Sequence, residues 1–214
     1  MEDSILHKGK RKQLIEELRS KGIKDENVLK AMMETPRHFF FDIALQNHAY
    51  EDKAFPIDAG QTISQPYTVA VQSSLLHVEK HDKILEIGTG SGYQAAVLHK
   101  MGAQVFSIER QKKLFFATKQ ILQNIHIHAQ LFLGDGFKGL PQFAPFDKIL
   151  ITAAAPFIPR TLLNQLKLKG LLVVPYGEGS TQKMIRIKKI SETEFEQEEH
   201  GDFSFVPMLN GIQD

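Results

Sequence analysis

The 214-residue chain contains no cysteine. That absence excludes disulfides and thiolate chemistry, and it is compatible with a reducing compartment. Charge of one sign is not in excess either. Lys and Arg number 26 against 25 Asp and Glu, a formal charge of +1. No global field therefore points to nucleic acid or to an anionic membrane. No apolar run approaches the roughly 20 residues that a membrane span requires. The N-terminal MEDSILHKGKRKQLIEELR lacks the apolar stretch of a secretory signal. Repeats, low-complexity tracts and long linkers are also missing. These absences lead to the expectation of a cytoplasmic globular protein with neither membrane nor nucleic-acid partners.

What is present has a clear order. Hydrophobic residues make up 42% of the chain and charged ones 24%, ordinary values for a packed domain. Residues 4–34 read as helices, with Ile5, Leu14, Ile15 and Leu18 at roughly helical spacing. Lys8, Lys10, Arg11 and Lys12 read as a solvated helix face, with an RNA contact as the alternative. Gly22 breaks the segment, Asp25 can cap a second helix, and Pro36 stops it. A short helical piece near Phe40–Gln46 leads into a loop around Tyr50–Ser64, and a further helix spans Thr68–Leu76. Phe39, Phe40 and Phe41 read as packing for this helical region.

From Lys83 onward the texture changes. KILEIG, QVFSIE, AQLFLG, FDKILIT and GLLVVPYG read as strands, separated by the helices YQAAVLHKM, QKKLFFATKQILQ and PRTLLNQL. Alternation of this kind predicts a parallel, doubly wound α/β sheet. The C-terminal KMIRIKKI and FEQEEHGDFSFVP predict an antiparallel edge on that sheet.

The sharpest signal is Glu86-Ile87-Gly88-Thr89-Gly90-Ser91-Gly92-Tyr93, which follows a strand and opens a helix. Glycines there let the backbone turn tightly and approach a ligand. A dinucleotide loop reads G-x-G-x-x-G, whereas Gly88, Gly90 and Gly92 give G-x-G-x-G. S-adenosylmethionine has no phosphate, and its ammonium is a partner that Glu86 can balance directly or through water. Glu109 ends the second strand, where a carboxylate can accept from both ribose hydroxyls, as in dinucleotide folds. Asp135, in Gly134-Asp135-Gly136, follows the third strand and can accept from an adenine amino group, with the Gly136 N–H near the ring edge. Taken singly, Glu109 can be a surface acid and Asp135 a turn residue. Jointly, Glu86, Glu109 and Asp135 sit at the carboxyl ends of three strands, where open α/β sheets bind ligands.

These motifs, with PRHFF at 36–40, AYEDKAFPI at 49–57, GQTISQPYTVA at 60–70, FDKILITAAAP at 146–156, LLVVPYG at 171–177 and FVPM at 205–208, carry a resemblance. From about Pro36 to Gly211 the chain resembles the protein-L-isoaspartate O-methyltransferases, which methylate isoaspartyl residues in aged proteins. EIGTGSGY marks only a class I methyltransferase; GQTISQPY and ITAAAP are far more specific to the family. The resemblance implies a class I S-adenosylmethionine-dependent methyltransferase fold, α/β, with a doubly wound, mostly parallel sheet and a helical N-terminal cap. With no repeats, low-complexity tract or long linker, the chain reads as a single domain over 1–214, with a cap and substrate loop at 1–66 and a Rossmann-like core at 67–214. The implied donor is S-adenosyl-L-methionine, giving S-adenosyl-L-homocysteine. The implied acceptors are damaged proteins or peptides carrying L-isoaspartyl and, less well, D-aspartyl residues, methylated at the free carboxylate by a monomer. The ester formed initiates repair.

In the family the serine matched by Ser64 is assigned to the active site. Thr62, Ile63, Ser64 and Ala154 match substrate contacts, and Gln65, Pro66 and Tyr67 border the cofactor together with Glu86, Gly88, Gly90, Gly92, Glu109, Asp135 and Gly136. Two departures fall at the C-terminal end: Ser204 stands where many relatives carry a basic residue, and Met208 replaces Leu. The acceptor carboxylate is ionised at neutral pH, since an α-carboxyl titrates near ~3.5. It needs orientation and modest desolvation rather than a strong base, so Ser64 is expected to position it. No metal is expected. His126 and His128, one residue apart, read as a polar strand entry rather than a zinc pair. The competing readings are a class I methyltransferase acting on tRNA or on a small-molecule carboxylate, a nicotinamide oxidoreductase, and a cofactor-binding module without catalysis.

Overall fold

A computed structural model describes residues 2–214. Seven strands form the central sheet: β3 (Lys83–Ile87), β4 (Gln104–Glu109), β5 (Ala129–Leu133), β6 (Phe146–Ile151), β7 (Leu166–Tyr176), β8 (Gln182–Lys189) and β9 (Phe195–Phe203). They are ordered β5-β4-β3-β6-β7-β8-β9. The first five of that order are parallel, while β8 and β9 add an antiparallel edge. The alternating texture from Lys83 onward and the predicted antiparallel edge both match this sheet. The chain leaves β3 toward β4 and β5 and returns on the other side as β6, so the topological switch lies at β3, the position where open sheets open a ligand crevice.

Strand residues bury themselves on both faces with period two. Ile84 packs with Leu98, Val105, Leu150 and Val173 on one face. Leu85 and Ile87 pack with Ile149, Ile151, Leu172 and Val174 on the other. This two-sided burial makes the strands read as nearly unbroken apolar runs. Helices α4 (Tyr93–Lys100) and α5 (Lys112–Asn124) connect β3, β4 and β5, and α6 (Arg160–Asn164) precedes β7.

The cap holds α1 (Ile5–Ser20) and α2 (Glu26–Glu34). The Ser4 and Asp25 side chains accept from first-turn N–H groups of the two helices, which is how such residues start helices. Thr35 then takes an extended conformation before Pro36. Leu14, Leu18, Val28, Leu29 and Met32 form one core with Ile63, Val69, Tyr93 and Val97. The cap is thereby set on α4 and on α3 (Pro66–Leu75), beside the switch point. Phe40 and Phe41 are buried in this core and Phe39 packs against it.

Three expectations are corrected. The segment near Phe40–Gln46 is two 3-10 turns, Arg37–Phe40 and Ile43–His48. The stretch around Tyr50–Ser64 is not all loop: β1 (Phe55–Pro56) pairs antiparallel with β2 (Thr62–Ile63), too short a ribbon to leave an alternating pattern. Arg11 does not lie on a solvated face. It is buried, bonding both oxygens of Asp3 at 3.1 and 2.8 Å and the Tyr50 hydroxyl at 2.9 Å. Among the described residues no helix is long and apolar enough to cross a membrane.

Candidate active site

A cleft, partly open to solvent, lies at the carboxyl ends of β3, β4 and β6. The glycine loop forms its floor. Gly88 and Gly90 take φ of +98° and +53°, the left-handed region that favours glycine. A Cβ at Gly88 would stand 2.6 Å from Thr152 Oγ1, and one at Gly136 would stand 2.4 Å from Ile87 Cγ2. Close backbone approach is therefore built into two walls.

Glu109, buried at the end of β4, is held by its neighbours: Oε2 accepts from the Gly90 N–H and Oε1 from the Gln111 N–H, both at 2.8 Å. Each oxygen keeps a lone-pair site for a further donor. Glu86 is fully buried beneath the loop. It reaches the cleft through a hydroxyl chain, with Ser107 Oγ bonded to Glu86 Oε2 and Thr89 Oγ1 to Ser107 at 2.6 Å. Among the described residues the other oxygen, Oε1, has no partner. Burial, opposed by the Ser107 bond and assisted by the Glu109 charge, raises this carboxyl from 4.5 to about 8.

The opposite wall is the 60–64 stretch. Thr62, Ile63 and Ser64 line the cleft with Gln61. Two buried anchors hold this stretch. Arg37 Nη2 donates to the Ser64 carbonyl at 2.8 Å and its Nε to the Ala49 carbonyl at 2.9 Å. Asp52 Oδ1 accepts from the Tyr67 N–H at 2.7 Å, and Asp52 also accepts from the Gln65 side chain at 3.1 Å. The far rim is Val206–Leu209, knitted to the core by Ala154: its N–H donates to Val206 O and its carbonyl accepts from the Met208 N–H, both at 2.8 Å.

The structure thus gathers Thr62, Ile63, Ser64, Gly88, Gly90, Glu109 and Gly136 around one cleft. Glu86, Gly92, Asp135, Pro66 and Ala154 are not among the lining residues. Gly92 caps α4, and a Cβ there would stand 2.6 Å from Thr118 Cγ2. The Asp135 carboxylate accepts from the Phe137 N–H at 2.9 Å and the Gly211 N–H at 3.0 Å. Pro66 is buried in the first turn of α3. Gln65 and Tyr67 line a second hollow with Phe203 and Phe205, which shares Thr62, Ser64, Thr152 and Val206 with the cleft. Sequence reasoning did not single out Arg37, Asp52, Thr89 or Arg110. Arg37 lies inside the quoted PRHFF motif and Asp52 inside AYEDKAFPI, but nothing local shows that each reaches the 64–67 backbone.

Among the described residues Asp3, His7 and His38 come close enough to share an ion. Asp3 binds Arg11, His38 meets the Tyr50 hydroxyl at 2.7 Å and Glu2 O at 3.1 Å, and His7 stacks on the His38 ring, centroids 3.7 Å apart. They pin the start of α1, away from the cleft.

A family model described as Protein-L-isoaspartate(D-aspartate) O-methyltransferase matches residues 9–213. A Cytophaga hutchinsonii protein named protein-L-isoaspartate O-methyltransferase is 58% identical over 209 residues, covering 98% of this chain and 95% of its own. A protein of that name from Flavobacterium psychrophilum is 54% identical over 210 residues, 98% of each chain. A solved structure described as a protein-L-isoaspartate O-methyltransferase from Plasmodium falciparum in complex with S-adenosyl-L-homocysteine superposes with a TM-score of 0.82 at 25% identity. The match covers 93% of this chain and 98% of that one.

Proposed function

We propose how this cleft works from the premise that the chain belongs to the protein-L-isoaspartate(D-aspartate) O-methyltransferase family. Its fold is that of the class I S-adenosylmethionine-dependent methyltransferases, capped by N-terminal helices. Its activity is transfer of a methyl group from S-adenosylmethionine to the free carboxylate of isoaspartyl residues in damaged proteins, giving the ester that initiates repair. The residues present fit this donor. Glu86 carries an unpartnered, fully buried carboxylate oxygen suited to a cation, and Gly88, Gly90 and Gly136 line the cleft with bare backbone.

When bound, S-adenosylmethionine supplies an electrophilic methyl group on a sulfonium. Glu109, oriented by two N–H groups, is placed to accept from the ribose hydroxyls. Glu86 is the group to balance the ammonium, directly at its unpartnered Oε1 or through water. Gly136, which lines the cleft, would border the adenine, and Asp135 holds the Gly136–Lys138 turn and the Gly211 backbone in place. Gly92 starts α4 and supports the loop. Pro66 braces the wall from behind, Gln65 and Tyr67 line the hollow beside it, and Ala154 fixes the Val206–Leu209 rim. Ser64, Thr62 and the Ile63 backbone orient the acceptor carboxylate in line with the methyl group, and proximity and orientation supply much of the rate. Hydroxyl donors are milder than a direct cation, which matters because charge is neutralised in the transition state. The cap over 1–66 and the core over 67–214 act as one unit, a cytoplasmic monomer.

The observation that carries this division is the wall shared by the cleft and the second hollow at Thr62, Ser64, Thr152 and Val206. A donor on one side and an acceptor on the other meet there. Ser64→Ala is expected to lower kcat by about tenfold to a hundredfold through lost orientation of the acceptor, the range of one hydrogen bond to a charged group. S-adenosylhomocysteine affinity should change by less than about twofold. Steady-state kinetics paired with calorimetry checks both, and an unchanged kcat removes Ser64 from the acceptor side.

A further inference from the structure

Arg37 has no exposed surface. Among the described residues it makes no ion pair; its guanidinium donates to the backbone carbonyls of Ala49 and Ser64 at 2.9 and 2.8 Å. Its third terminus, Nη1, is buried without a partner. The guanidinium lies 4.7 Å from the Tyr93 ring centroid and 5.3 Å from that of Phe41. Tyr93 and Ser64 both line the cleft, so Arg37 stands directly behind its acceptor wall. Asp52, the nearby acid, is bonded instead to Lys21 at 2.6 Å and to the 65–67 segment. A buried cation without a matching anion is costly, and such groups are retained where their charge is used. Burial, opposed by Tyr93 and Asp52, lowers its titration to about 10, so it stays charged at neutral pH.

We propose that Arg37 is a positioning residue that fixes the Ser64 backbone and makes the acceptor wall electropositive, so that the site selects an ionised carboxylate over a neutral group of the same shape. This rests on the carboxyl methyltransferase reading. It also resolves a tension in the chemistry. A cation in direct contact would hold the carboxylate back, whereas one screened by the Ser64 peptide and the Tyr93 ring draws the anion in without pairing with it. A tenfold preference corresponds to about 1.4 kcal/mol, which a buried unit charge supplies out to about 12 Å at an effective dielectric of about 20.

The test compares two peptides on enzyme saturated with S-adenosylhomocysteine, where no turnover occurs. One carries an isoaspartyl residue with its free α-carboxylate; the other carries the α-carboxamide instead. Wild type should bind the carboxylate at least tenfold more tightly. Arg37→Gln should reduce that ratio at least tenfold, with S-adenosylhomocysteine affinity within about twofold of wild type. Equal weakening of both peptides would mean a structural strut only and would overturn the proposal. A second measurement needs only wild type. The ratio should persist between about 20 mM and 0.5 M salt, because a buried charge is poorly screened. Collapse with salt would assign the selection to partly exposed Arg110, which also lines the cleft, and would overturn the proposal even if Arg37→Gln does not fold. Methylation of the isoaspartyl peptide by wild type separates failure here from failure of the activity itself.

Discussion

Gly90→Val leaves the protein folded and weakens S-adenosylhomocysteine binding by at least about 100-fold, equivalent to about 2.7 kcal/mol. A Cβ at Gly90 would meet only Ile57 Cδ1, at 3.9 Å, so the substitution creates no collision inside the protein. Its branches project into the cleft that Gly90 lines. Valine must also hold φ near +53°, at a conformational cost of about 1–2 kcal/mol. The Gly90 N–H and carbonyl still have to meet Glu109 and Thr118, at 2.8 and 2.6 Å. The expected signature is thus a modest fall in melting temperature with a large loss of affinity. Gly88 behaves differently, because a Cβ there stands 2.6 Å from Thr152 Oγ1, so Gly88→Ala lowers stability and affinity together. Calorimetric titration beside thermal melts separates the two positions. Affinity within about threefold of wild type in Gly90→Val would remove the glycine loop from the donor site.

The second large effect belongs to Glu86. Its carboxyl titrates at about 8 in the fold against an ordinary 4.5. Between those values the unfolded chain holds fewer protons than the folded one. Stability of the free protein therefore falls as pH rises from about 4.5 to about 8, by up to about 1.4 kcal/mol per pH unit, and levels off above that. Glu86→Gln cannot ionise and flattens this slope. A ligand ammonium near the unpartnered Oε1 favours the carboxylate, so binding at pH 7 releases close to one proton. That release appears as a binding enthalpy that depends on the ionisation enthalpy of the buffer. In Glu86→Gln the release disappears and affinity drops by about tenfold or more. A wild-type enthalpy independent of buffer would mean that Glu86 does not balance the ammonium.

The sheet was legible because its strands bury both faces. Ile84, Leu85 and Ile87, or Ile149, Leu150 and Ile151, leave apolar runs that few other elements produce. The glycine loop was legible for a related reason, since its spacing and the acids Glu86 and Glu109 are local to strand ends. The acceptor wall was legible from composition and from the family resemblance, not from periodicity. GQTISQPY announced hydroxyls and amides, but the ribbon pairing Phe55 with Ile63 and Pro56 with Thr62 is too short for any periodicity to reveal. Arg37 was missed because its meaning is non-local: it bonds a carbonyl 27 residues away. Arg11 was misplaced because charge density on α1 reads as solvation, while its partners Asp3 and Tyr50 come from outside that helix. Tertiary contacts of this kind leave no trace in spacing.

The most direct measurement is methyl transfer from labelled S-adenosylmethionine to two synthetic peptides that differ only in one isoaspartyl or aspartyl linkage. Label in the isoaspartyl peptide alone, with release of one S-adenosylhomocysteine per methyl, is the predicted result. Equal labelling of both peptides, or labelling of neither while S-adenosylhomocysteine still binds, would contradict an acceptor wall built around Ser64 for a freed α-carboxylate.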